Sequence, residues 1–67
     1  MKFYEALWIM FNRAGSTMSS SSWNGRTVGI HRPQNGDLPY LYMESSKGKG
    51  PWAPSQVDMF SDSWRVS

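Results

Sequence analysis

Arg26-Thr27-Val28-Gly29-Ile30-His31-Arg32, then Pro33-Gln34-Asn35-Gly36-Asp37, then Leu38-Pro39-Tyr40-Leu41-Tyr42-Met43-Glu44-Ser45, is the run whose reading decides the fold. In the first piece Val28 and Ile30 alternate with Thr27, Gly29 and His31, the period-two pattern of a half-buried strand. In the third, Tyr40, Tyr42 and Glu44 share one side and Leu41 and Met43 the other. Between them Asn35-Gly36 is a strong hairpin signal, because tight hairpin turns favour residues that accept positive φ. The run predicts an antiparallel pair with one apolar face, and such a face has to be covered by another element.

Upstream, residues 2–13 read as a helix that supplies this cover. Phe3, Leu7, Met10, Phe11 and Ala14 recur at helical spacing as one apolar stripe, and Gly15 supplies a stop. Tyr4, Trp8 and Ile9 fall largely outside that stripe. A helix apolar on more than one side is buried on more than one side, which in so short a chain points to a second subunit. The competing reading is a loosely covered helix with scattered surface aromatics.

Residues 16–22, Ser-Thr-Met-Ser-Ser-Ser-Ser, have the composition of a flexible linker and the length of an edge strand. Downstream, Ser46–Gly50 reads as a turn and Pro51–Pro54 as extended chain. Ser55 is placed to cap one helical turn reaching Phe60, and Trp64–Val66 as a short last strand. The expected fold is α+β: an N-terminal helix packed on a small antiparallel sheet, with residues 1–67 as a single domain.

Composition narrows the function. With 67 residues, a monomer buries only about 60% of its unfolded surface and is marginal. There is no Cys and one His, so disulfides, thiolate metal sites and an all-imidazole site within one chain are excluded. Oligomerisation is the stabilising route that remains. The net charge is +2 with 18% charged residues, and no basic stripe of the kind a duplex DNA binder shows is visible. The longest apolar run, around Ala6 to Phe11, is too short to span a membrane. Glu5 interrupts the start in a way that argues against a signal peptide. The expected compartment is the cytoplasm.

Nucleophilic catalysis finds no support. His31 is the only conventional base, it lies in a predicted strand, and no serine sits in a nucleophile elbow. Asp58 and Asp62 are one helical turn apart, but Asp62 can equally end that turn. Gly48 and Gly50 flank Lys49 without the strand and helix a phosphate loop requires. The expectation is a protein without enzymatic activity.

What the sequence does offer is two tryptophan turns, Trp23-Asn24-Gly25 and Pro51-Trp52-Ala53-Pro54-Ser55-Gln56-Val57-Asp58. Gly and Pro hold large rings on tight loops, where a ring face can stay open. Indoles give stacking area, and Asn, Ser, Gln and Asp give directional hydrogen bonds. That combination suits a nucleobase and its sugar. The other reading is that both tryptophans close a small core.

Phe3-Tyr4-Glu5-Ala6-Leu7, Ser22-Trp23-Asn24-Gly25-Arg26, Leu38-Pro39-Tyr40, Pro51-Trp52-Ala53-Pro54-Ser55-Gln56-Val57-Asp58-Met59 and Asp62-Ser63-Trp64, in that order, resemble the Thoeris anti-defence 2 family of small phage and prophage proteins. The resemblance covers essentially the whole chain. It implies a helix on an antiparallel sheet, a strand at residues 16–22, and a homotetramer built from two dimers. Relatives carry more basic and apolar residues in that strand, which here is nearly all serine. The resemblance further implies a sponge that binds cyclic ADP-ribose isomers made by Thoeris defence and holds them uncleaved, inside the infected bacterial cell. Some relatives also take up cyclic oligonucleotides of CBASS defence at a separate site.

By motif position, Trp23 and Trp52 are the expected pocket-wall rings. Asn24, Ser55, Gln56 and Asp58 are the expected polar readers, and Arg26 is the nearest cation for a phosphate. Pro54 and Gln56 can instead shape the turn, Asp58 can cap the short helix, and Trp64 reads as core. Holding a micromolar signal takes roughly −8 kcal/mol, within reach of two stacked rings at about 1–3 kcal/mol each plus hydrogen bonds.

Overall fold

In chain order the computed structural model, which describes residues 1–67, runs α1 (Phe3–Asn12), β1 (Met18–Ser20), β2 (Thr27–His31), β3 (Tyr40–Ser45), β4 (Gly48–Pro51), α2 (Gln56–Phe60) and β5 (Trp64–Val66). The strands form one antiparallel sheet in the order β4-β3-β2-β1-β5. The α+β architecture expected from the sequence is present. No helix is long and apolar enough to cross a membrane.

The decisive pair has the register its alternation requires. Val28 faces Met43 and Ile30 faces Leu41 on one side; Gly29 faces Tyr42 and His31 faces Tyr40 on the other. The connection is longer than a tight Asn-Gly hairpin. It runs from Arg32 to Pro39, with Asn35 Oδ1 accepting from the Asp37 amide and Gly36 at φ +87°. Leu38 and Pro39 fall outside β3. Pro39 has no N–H to give to the ladder.

Two sequence expectations change. Ser46–Gly50 is not all turn: Ser46 and Lys47 make the turn, and Gly48 begins β4, paired with Ser45. The glycine- and lysine-rich composition that reads as a loop is tolerated here because β4 lies at the edge of the sheet. The serine-rich segment does form a strand, but not at an edge. It is an interior strand between β2 and β5, because Ser19 and Ser20 pair with Arg65 and Trp64. Its buried hydroxyl is satisfied within the chain: Ser20 Oγ lies 3.1 Å from Ser22 Oγ and 3.2 Å from Ser63 Oγ. Serine therefore sits inside this sheet without an orphaned polar group.

The core is small. Phe3, Ala6 and Met10 of α1 pack against Met18, Val28 and Trp64. The buried stripe of the helix is thus Phe3, Ala6 and Met10, with Leu7 half-buried beside it. Phe11 and Ala14, which share the helical spacing, are exposed. The reason is where the helix lies: α1 contacts β5, β1 and β2, and leaves the β3–β4 end of the sheet uncovered on this side. Arg32 ties the end of α1 to the sheet, donating to the Phe11 carbonyl with its guanidinium 5.1 Å from the Phe11 ring centroid.

Candidate functional site: an aromatic cluster at the foot of the helix

Both tryptophan turns end on the same cluster. Trp23 follows β1 in a turn closed by its amide on the Ser20 carbonyl, 2.9 Å. Gly25, at φ +74°, redirects the chain into β2. Trp52 follows β4, its amide 3.0 Å from the Leu41 carbonyl. The two rings meet edge to face, with centroids 5.8 Å apart and planes at 85°. Trp64 joins them, 5.0 Å from Trp23 and 6.3 Å from Trp52, and Phe3 packs on Trp64 at 5.5 Å. Such tilted and T-shaped contacts suit the ring quadrupoles.

The three indoles differ in exposure, and that separates their roles. Trp64 is buried, and its Nε1 donates to the Asp58 carbonyl at 2.7 Å, so it is the core member the sequence reading expected. Trp23 and Trp52 are half-buried. Arg26 lies over Trp23, its guanidinium carbon 4.7 Å from the ring centroid, a cation–π contact at the surface. Trp52 borders an open depression of about 340 Å³ together with Tyr40, Leu41, Pro51 and Ala53.

The polar candidates divide. Ser55 and Asp58 form a capping box at the start of α2: Ser55 Oγ accepts from the Asp58 amide at 3.2 Å, and Asp58 Oδ2 accepts from the Ser55 amide at 3.0 Å and from Ser55 Oγ at 2.9 Å. This satisfies donors at a helix start and engages Ser55 and the Oδ2 of Asp58 in the cap, leaving Asp58 Oδ1 without a partner. Asn24 and Gln56 are exposed on their turns. Trp64 connects the two groups, since it packs on Trp23 and Trp52 and holds the carbonyl of Asp58. Tyr40, Leu41, Pro51 and Ala53, not singled out as site residues from the sequence, flank the open side of Trp52. One signal for Tyr40 was available: like Trp52, it is a ring that directly follows a proline.

No three His, Asp or Glu side chains converge as metal ligands would. The arrangement brings ring surface and the Arg26 cation together beside the start of α1. A family model described as the Tad2-like, Thoeris anti-defense 2-like domain matches residues 1–67. The chain therefore belongs to the Thoeris anti-defence 2-like family, and its place is among proteins that counter Thoeris defence. No curated protein matches the chain.

Proposed function

We propose that this protein sequesters cyclic nucleotide immune signals, foremost cyclic ADP-ribose isomers of Thoeris and also cyclic oligonucleotides of CBASS, and holds them without cleaving them. The observation that carries the reading is the open flank of Trp52. A half-buried indole, fixed from behind by Trp23, Trp64 and Phe3, borders a depression of about 340 Å³ with Tyr40 beside it. A ring held this rigidly stacks on a base with little entropic cost. Arg26, held over Trp23, supplies the cation for a phosphate, and Asn24 and Gln56 supply amides. Asp58 Oδ1 is the acceptor of the capping pair that remains for a ribose hydroxyl, since Oδ2 is taken by Ser55.

A sponge needs no chemistry, and the residue inventory matches that: one exposed histidine and no Cys. The working form we propose is a homotetramer. Its motive is the amount of apolar surface a single chain leaves bare. Tyr4, Trp8 and Phe11 of α1 are 64%, 69% and 51% exposed, and Val57 and Phe60 of α2 are 80% and 82% exposed. Apolar patches of this kind mark interfaces.

The second reading, a protein–protein module whose tryptophans form an interface, is favoured for Trp8, the one indole that touches no other ring and stands free on α1. That role fits the tetramer contact. The discriminating experiment is incubation with a panel of cyclic nucleotides, followed by denaturation and mass analysis of what was held. Uptake of an intact cyclic ADP-ribose isomer supports the sponge; uptake of nothing leaves the interaction module.

A further inference from the structure

Asparagine followed by glycine is a reactive pair as well as a turn signal. Glycine has no side chain to shield its amide nitrogen or to restrict its backbone, so that nitrogen can reach the asparagine side-chain carbonyl carbon and close a ring. The chain holds two such pairs, Asn24-Gly25 and Asn35-Gly36, at opposite ends of β2. All four residues are exposed, and both glycines have positive φ.

The structure treats the two pairs differently. Asn35 Oδ1 accepts from the Asp37 amide at 3.1 Å, a local side-chain to backbone bond that ties the side chain down. Asn12, the third asparagine, donates from Nδ2 to the Trp8 carbonyl at 2.9 Å. Asn24 alone has a side chain with no hydrogen-bond partner. The Gly25 amide lies outside the sheet ladders and has no carbonyl or side-chain partner either. The space around it is open, since a Cβ built on Gly25 meets no atom within 4 Å. Nucleophile and electrophile are thus both uncommitted at Asn24-Gly25, whereas at Asn35 a bond has to break first. Arg26, one residue beyond, holds its guanidinium over Trp23 and favours negative charge as it develops nearby.

We propose that Asn24 is a self-modification site, where spontaneous deamidation converts the residue between Trp23 and Gly25 to aspartate or isoaspartate and so weakens capture of an anionic ligand. The Gly25 nitrogen, its proton lost to water, attacks Asn24 Cγ. The Cγ–Nδ2 bond breaks, ammonia leaves, and a succinimide ring remains. Water opens that ring at either carbonyl. One water is consumed, one ammonia is released, and nothing is oxidised or reduced. The formal net charge falls by one from +2, and the new carboxylate stands two residues from Arg26. It competes with a phosphate for that cation and repels the phosphate directly. The chemistry at Asn24 is independent of any ligand; its effect on capture rests on the function proposed above.

The test is to age the folded full chain in heavy-oxygen water at body temperature and neutral pH, and to map its peptides by mass at intervals. Asn24 is expected to take up heavy oxygen and lose its amide nitrogen ahead of Asn35, giving both aspartyl and isoaspartyl products. Affinity for a cyclic ADP-ribose isomer is then measured on fresh and aged protein. Asn24→Asp and the aged protein are expected to bind it about fivefold more weakly than the fresh chain, the scale of one exposed ion pair. Asn35→Asp, which adds the same charge at the far end of β2, is expected to bind as the unaltered chain does. Asn24→Gln, whose longer side chain closes the ring far more slowly, is expected to keep through ageing whatever affinity it starts with. The proposal is overturned if Asn35 converts as fast as Asn24, if Asn24 stays intact, or if protein converted at Asn24 binds as well as fresh protein. It is equally overturned if Asn35→Asp weakens binding as much as Asn24→Asp. If fresh protein takes up no cyclic ADP-ribose isomer, the sequestering function fails, and the peptide map alone decides the modification.

Discussion

Trp64 and Trp52 stand in different surroundings although their rings are 6.3 Å apart. Trp64 is 2% exposed with its Nε1 hydrogen-bonded to Asp58. Replacing it by alanine removes both packing and a satisfied donor, and Trp64→Ala is expected to cost about 3–5 kcal/mol, read as loss of the cooperative thermal transition. Trp52 is half-buried with one flank open. Trp52→Ala is expected to weaken a cyclic ADP-ribose isomer by about 1–3 kcal/mol, read by calorimetric titration, with the oligomer intact. Unfolding of Trp52→Ala would instead assign that ring to the core. Ser55 belongs to the capping box, so Ser55→Ala is expected to lower stability by about 1 kcal/mol, measured by denaturant titration.

At the scale of elements, the paired strands β2 and β3 were legible because their alternation is unbroken and both sides of it are used. Strand β4 was not, because Gly48-Lys49-Gly50 has the composition of a turn and only its pairing with Ser45, Glu44, Met43 and Tyr42 makes it a strand. The position of β1 inside the sheet was equally hidden. It rests on a three-residue partner, β5, and on a serine hydroxyl network that bridges forty-three positions of sequence from Ser20 to Ser63. On α1 the spacing rule gave the right helix and only part of its buried stripe, since Phe3, Ala6 and Met10 and Phe3, Leu7 and Phe11 are both helical sets and the placement over β5, β1 and β2 chooses between them. The bare side of α1 carries the next prediction. Trp8→Glu places a charge in the proposed subunit contact without touching the core, and is expected to convert the oligomer to a folded monomer of 7.7 kDa. Sedimentation velocity reads this directly, and an unchanged oligomer would remove α1 from the interface.

For the whole molecule, only eight of 67 residues are buried, the small core expected of so short a chain. The same economy shapes the site. The ring types and turns at Trp23 and Trp52 were readable from the sequence, as was the cation at Arg26. Their meeting was not, because it depends on Trp64 and Phe3 arriving from opposite ends of the chain to hold the two indoles at right angles. Nor was the division of the polar residues, which follows from Ser55 and Asp58 engaging each other. The central proposal is that the protein holds a cyclic nucleotide signal and does not change it. The most direct measurement is to load the protein with a cyclic ADP-ribose isomer, remove free ligand, denature by heat and analyse the released molecule by mass and by its power to activate a Thoeris effector. The account predicts recovery of the intact, active isomer. Recovery of a linear or dephosphorylated product, or of no ligand at all, would contradict it.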